Sequence, residues 1–184
     1  IVCTGDDGKF SFLSSKYEDS LFEEIALQTL KKNIKTIQKY SFLDRGSDER
    51  QYSSPGINLP ICSIMRSKYG KYKEYHTSLD NLQFISAKGL GGSFHILKLV
   101  LKKIENTKIL VSTKICEPFF TKYNLYPTIS NKKSFEETKL IKNILTYCDG
   151  KNDVLRISRL VNEKVSKIKK VLNTLRKKKL IARL

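Results

Sequence analysis

An α/β chain, with a mostly parallel sheet flanked by helices and then a small winged helix-turn-helix domain, is predicted by three features of the sequence. Residues 1–42 read as strand, helix, strand. The run Leu59 to Met65 is nearly continuously apolar, as a central strand covered on both faces requires. Beyond a weakly periodic stretch from Thr121 to Ser134, three helical periodicities and a strand-like end follow in close succession. These features divide the chain into a first domain at 1–128 and a second at 129–184.

Taken in order, Ile1-Val2-Cys3 is an apolar, strand-like opening with neither an initiator methionine nor a signal peptide. Gly5-Asp6-Asp7-Gly8 is a turn. From Asp19 to Lys32 the positions Leu21, Phe22, Ile25, Ala26 and Leu30 form one helical face, with charges opposite. Residues 35–42 form a short strand. A loop opened by Gly46 and closed by Pro55 and Gly56 presents Asp48 and Glu49, and the apolar strand follows. A short helix is expected over 79–87, broken by Gly89-Leu90-Gly91-Gly92, which read as a hinge. The next helix starts at an N-cap Ser93 and carries Phe94, Leu97, Leu101 and Ile104 on its core side. Ile109 to Cys116 reads as the last strand of the first domain. In the tail, Ile141, Ile144, Leu145 and Cys148 share a helical face that stops at Asp149-Gly150. A second helix spans 154–161, and Val165, Ile168, Leu172 and Leu175 mark a third before the strand-like 180–184. The chain reaches its end where the second strand of a wing would begin.

The formal net charge of +17 is uneven. Residues 1–130 hold 19 Lys+Arg against 13 Asp+Glu, whereas 131–184 hold 16 against 5. The tail therefore carries most of the excess. Lys170, Asn173 and Lys177 fall on one stripe of the third tail helix, as a recognition helix needs, so a nucleic-acid-binding or protein-interaction module is the alternative function. No aromatic side chains interleave with the basic residues there, which disfavours single-stranded RNA. No apolar run approaches the roughly 20 residues that span a bilayer, so no membrane is expected. The cysteines Cys3, Cys62, Cys116 and Cys148 form no Cys-x-x-Cys pair and read as buried thiols of a cytoplasmic protein.

Most of the metal-competent chemistry lies between Gly46 and Asp80. Carboxylates precede the apolar strand and His76 follows it, just before a helix start signalled by Ser78 or Asp80. Zinc takes carboxylate oxygen and imidazole nitrogen. The plainer roles are loop capping or an ion pair with Arg45 or Arg50 for Asp48, and helix capping for Asp80. Arg50 is either solvated or a bidentate partner of a substrate carboxylate. Arg66 reads as a surface residue, and so does His95, which has no partner ligand at a matching spacing.

Ser47-Asp48, Gly56 with Pro60, and His76-Thr77 with Asp80 resemble motifs of the zinc exopeptidases of the bacterial leucyl aminopeptidase type, the clan MH fold. GSDERQ, the Pro-Gly-x-x-Leu-Pro turn, EYHTS and a basic C-terminal winged helix are closer still to a group of aminopeptidase-like proteins. The resemblance implies a metal-dependent hydrolase of peptide or amide bonds with two zinc ions, Asp48 holding one and His76 the other. It implies roles in metal support or substrate binding for Glu49, Arg50 and Asp80. The family's first histidine, bridging aspartate and glutamate pair lie upstream of the segment matching Ile1. The chain is thus expected to be the C-terminal portion of such an enzyme, with no catalytic residue of its own and no activity alone. A peptide or amide small molecule is the expected substrate, and self-association is left open.

Overall fold

The computed structural model describes residues 2–126 and 132–183. Two compact units divide the chain, Ile1–Asn106 and Thr107–Leu184. No helix among the described residues is long and apolar enough to cross a membrane.

The first unit is built on β1, Phe10–Leu13, a strand absent from the sequence expectation, which placed the opening strand at Ile1-Val2-Cys3. Helix α1, Leu21–Asn33, leads from it to β2, Ile37–Tyr40, which lies parallel to β1 with Phe10 opposite Ile37. Glu23 and Glu24 in the first turn of α1 and Lys31 and Lys32 in its last complement the helix dipole. Strand β3, Ser63–Met65, runs antiparallel to β1, giving the order β2-β1-β3. The sheet is therefore mixed where a mostly parallel one is expected. The β2–β3 connection contains a 3-10 turn, Phe42–Asp44, and the short helix α2, Glu49–Tyr52, in place of a long crossover helix.

The apolar run Leu59 to Met65 is not a central strand. Only its last three residues join the sheet, and they do so at an edge. Pro60 has no N–H for a ladder, and Leu59 turns back on α2, donating to Tyr52 O at 2.7 Å and accepting from Ser53 Oγ at 3.1 Å.

Helix α3 spans Ala87–Glu105, capped by Ser86, whose Oγ accepts from Gly89 N at 2.8 Å. The expected helix over 79–87 is a series of turns, and the glycine run lies inside α3. Its glycines meet close neighbours. A Cβ on Gly89 would sit 2.5 Å from Asp6 O and nearer still to Gly5 O, and one on Gly92 would overlap the Arg66 guanidinium. Ser93 is not the cap but a buried bridge, donating to Thr4 O at 2.8 Å and accepting from Arg66 Nε at 3.1 Å. Arg66, expected on the surface, also donates to Gly8 O and Gly89 O at 3.3 Å and lies over the Phe10 ring.

One face of β1 presents Phe10 and Phe12 to Ala26 and Leu30 of α1 and to Ile96 and Val100 of α3. Leu13 packs instead with Met65 and Tyr69, among aromatic loop residues. Both long helices thus cover one face of the sheet, and loops serve the other.

In the second unit β4, Ile109–Ser112, pairs antiparallel with both β5, Asp149–Asp153, and β6, Ile181–Arg183. This middle position ties β4 to the tail, so the division falls at 106/107 and not at 128/129. Leu125, in the expected linker Thr121–Ser134, and Phe120 just before it are buried in the same core, and residues 127–131 of that linker lie outside the described residues.

Helix α4, Lys132–Thr146, ends before Asp149-Gly150, which opens β5 and is not merely a helix stop. Asp153 then caps α5, Val154–Val161, its Oδ1 accepting from Arg156 N at 2.7 Å. Asn162, at φ 54°, closes α5, and α6, Val165–Lys177, follows. Ile144, Leu145, Ile157, Ile168, Leu172 and Leu175 form the shared core that the helical spacing predicts.

Candidate active-site cavity

The candidate residues sit on loops at the face of β1 that the helices leave uncovered. Asp48 is the N-cap residue of α2, exposed, with no side-chain capping bond. Arg50 is exposed on the same short helix. Glu49, between them, is 2% exposed. Its Oε1 accepts from Gly46 N at 2.9 Å, from Ser47 N at 3.1 Å and from the Tyr69 hydroxyl. Burial pushes this carboxyl up, but the Tyr69 hydroxyl and the two loop amides outweigh it and hold the pKa below the usual carboxylate range. Burial and the Glu49 charge together push the Tyr69 phenol well above its ordinary value. Glu49 is therefore an anchor that fixes the Gly46–Asp48 loop to the chain after β3. Gly46 suits this packing, since a Cβ there would lie 2.7 Å from the Tyr69 ring.

After β3 the chain folds through successive turns rich in tyrosine. Tyr72 stacks on Phe84 with ring centroids 5.3 Å apart, and Tyr75 meets Tyr72 edge-on at 5.7 Å. His76 is exposed and stacks on Tyr75 at 3.9 Å, held at φ 58°, a left-handed conformation uncommon for non-glycine residues. Thr77 Oγ1 donates to Glu74 O at 2.9 Å and accepts from Leu79 N at 3.2 Å, and Asp80 N donates to Thr77 O at 3.1 Å. No helix starts at Asp80, so it does not cap one. His95, on α3, is exposed as expected.

Ser47, His76 and Asp80 line one cavity of about 490 Å³, together with Tyr69, Tyr72 and Tyr75. Asp48 follows Ser47 directly but is not part of the lining. The Val2–Asp6 segment completes the wall. Asp6 is buried and clasps the loop, its carboxylate accepting from Gly8 N at 2.6 Å, Ser67 N at 3.2 Å and Ser67 Oγ at 2.7 Å. Sequence reasoning missed the tyrosines and Asp6. The spacing Tyr69, Tyr72, Tyr75 was the available signal, whereas Asp6 looked like ordinary turn chemistry.

The cysteines are free but not uniformly buried: Cys148 is buried, Cys3 and Cys62 are partly so, and Cys116 is exposed. Burial pushes the Cys62 thiol up to about 11, far from thiolate reactivity. Among the described residues no group of three or more His, Cys, Asp or Glu side chains is placed to hold a metal ion. Asp48 and His76 thus supply donors of the right kind for zinc, but not a complete set.

Residues 1–107 match the family described as "Domain of unknown function (DUF4910)", and residues 108–183 match the winged helix-turn-helix family. The chain belongs to the DUF4910 family. The boundary between these matches, 107/108, lies one residue from the division between the two structural units. A curated protein of Clostridium acetobutylicum, named "Putative polysaccharide biosynthesis protein with aminopeptidase-like domain", is 36% identical over 160 residues, covering 85% of this chain. A crystal structure titled as that of a "putative peptidase" from the same organism superposes with a TM-score of 0.58 at 31% identity, covering 98% of this chain. The chain spans 36% of the curated relative's length and 40% of the crystallised chain.

Proposed function

We propose that the first unit contributes one wall of the active site of a zinc-dependent, peptidase-like hydrolase, with Asp48 and His76 each donating to one of two zinc ions. The reading is carried by the meeting of Ser47, His76 and Asp80 at one cavity, although they come from loops on either side of β3. The peptidase-like relatives support it. The Glu49 anchor fixes the backbone that presents Asp48, and the turn closed by Thr77 fixes His76. The aromatic wall takes up the part of the substrate next to the scissile bond and excludes water from it. When bound, paired zinc ions supply an activated water and polarise the carbonyl under attack. The remaining metal donors and the general base belong, in this reading, to parts of the longer relatives that this chain does not cover.

Hydrolysis of an aminoacyl anilide by the full-length Clostridium relative tests the proposal. Replacing the residue aligned with His76 by alanine should abolish zinc-dependent turnover, and this 184-residue chain alone should show none. Undiminished turnover in the variant would refute the assignment.

A second reading concerns the second unit. Lys170, Asn173 and Lys177 are all exposed on α6, so this face is open to an anionic partner such as nucleic acid. Phosphate contacts give affinity without sequence choice. Binding to duplex DNA should therefore be weak, indifferent to sequence and steeply weakened by salt. Tight binding to one duplex, lost on Asn173→Ala, would make α6 a sequence reader.

A further inference from the structure

The cavity is opposite in charge to the mildly basic unit that contains it. That unit, residues 1–106, holds 16 Lys+Arg against 12 Asp+Glu, a net charge of +4. Yet among the described residues that line the cavity none is lysine or arginine, and two, Asp6 and Asp80, are acidic. The Asp6 carboxylate is occupied by its bonds from Gly8 and Ser67, so it contributes charge more than a free acceptor. Asp80 is exposed and takes part in no ion pair among the described residues. Burial raises both the Cys3 thiol and the Tyr72 phenol that face this space, and the charges of Asp6 and Asp80 push both further in the same direction. The lining also holds Tyr72, Tyr75 and Phe84, aromatic rings of the kind that attracts cations.

We propose that this cavity binds a cationic group, an ammonium or guanidinium, with Asp80 as its charge partner and the rings of Tyr72, Tyr75 and Phe84 as its walls. The proposal rests on the reading of this cavity as the substrate site and names the class of substrate it selects. An uncharged side chain could use the rings but would leave Asp80 unpaired. An anionic one would be repelled. A basic amino-acid residue and an amino sugar both carry the required chemistry.

Calorimetric titration of the chain with L-lysinamide, L-norleucinamide and glucosamine, without zinc, tests this directly. The two amides share an α-ammonium and differ in the terminal amine, so their ratio reports the side-chain site. Lysinamide should bind at least about tenfold more tightly than norleucinamide, the size of effect a partly desolvated cation–π and carboxylate site gives. Asp80→Asn should erase the difference and Asp80→Glu should keep it, with unchanged thermal unfolding in both, since Asp80 is exposed. Glucosamine binding in place of lysinamide would keep the cation site and assign it to an amino sugar. Equal affinity for the two amides with no glucosamine binding, or no binding of any probe, would overturn the proposal. A preference that survives Asp80→Asn would overturn the role of Asp80. None of these outcomes depends on zinc, so they leave the roles of Asp48 and His76 to be judged separately.

Discussion

Replacing Gly89 by alanine separates helix propensity from packing at the point where α3 meets the loop that walls the cavity. In an open helical position the change stabilises by about 1 kcal/mol. Gly91, where a Cβ would meet nothing within 4 Å, is such a position and serves as the control. At Gly89 the new Cβ would lie 2.5 Å from Asp6 O and closer to Gly5 O, both backbone atoms. That loop cannot drift freely, because Ser93 holds Thr4 O and Arg66 holds Gly8 O. Overpacking of this kind costs about 1–3 kcal/mol, so after the propensity gain Gly89→Ala should be destabilising by about 0–2 kcal/mol. It should fall about 1–3 kcal/mol below Gly91→Ala. For a unit of this size the gap corresponds to at least about 4 °C in Tm. The chain has no tryptophan, so tyrosine fluorescence and circular dichroism are the probes. The transitions of the two units should be fitted separately. Equal stabilisation by both substitutions would refute the close approach of α3 to residues 5 and 6.

Two further outcomes follow from the anchor and the sheet. The Glu49 pKa is held below its unfolded value, so its contribution is present above the ordinary glutamate range and is lost as pH falls through the folded value. Glu49→Gln should therefore lower stability at neutral pH by about 1–3 kcal/mol, a gap that urea titrations should see shrink in acid; a pH-independent gap would contradict the anchor. A polypeptide of residues 107–184 should fold, whereas 129–184, which lacks the middle strand β4, should not; dispersed amide resonances from the shorter piece would contradict the sheet order.

The legible parts of the fold were those with helical period. Leu21, Ile25 and Leu30 predicted α1, and Ile168, Leu172 and Leu175 predicted α6, because each helix buries one stripe. The central strand was not legible, since Phe10–Leu13 is only four residues long and its one polar residue, Ser11, is buried with the rest. Gly89 and Gly92 looked like a hinge because the atoms that exclude a side chain there come from residues remote in sequence. The allegiance of β4 was hidden for the same reason: strand pairing over such separations leaves no local mark. At the site, the motifs around Asp48 and His76 stood out by resemblance. The aromatic wall did not, because only the folded loops bring Tyr72 against Phe84.

Zinc stoichiometry is the most direct test of the metal assignment. Elemental analysis of the full-length Clostridium relative should give two zinc ions per chain, falling to about one when the residue aligned with His76 or with Asp48 is replaced by alanine, provided each position serves a separate ion. Two zinc ions retained in both variants, or none in the unmodified protein at saturating zinc, would contradict it.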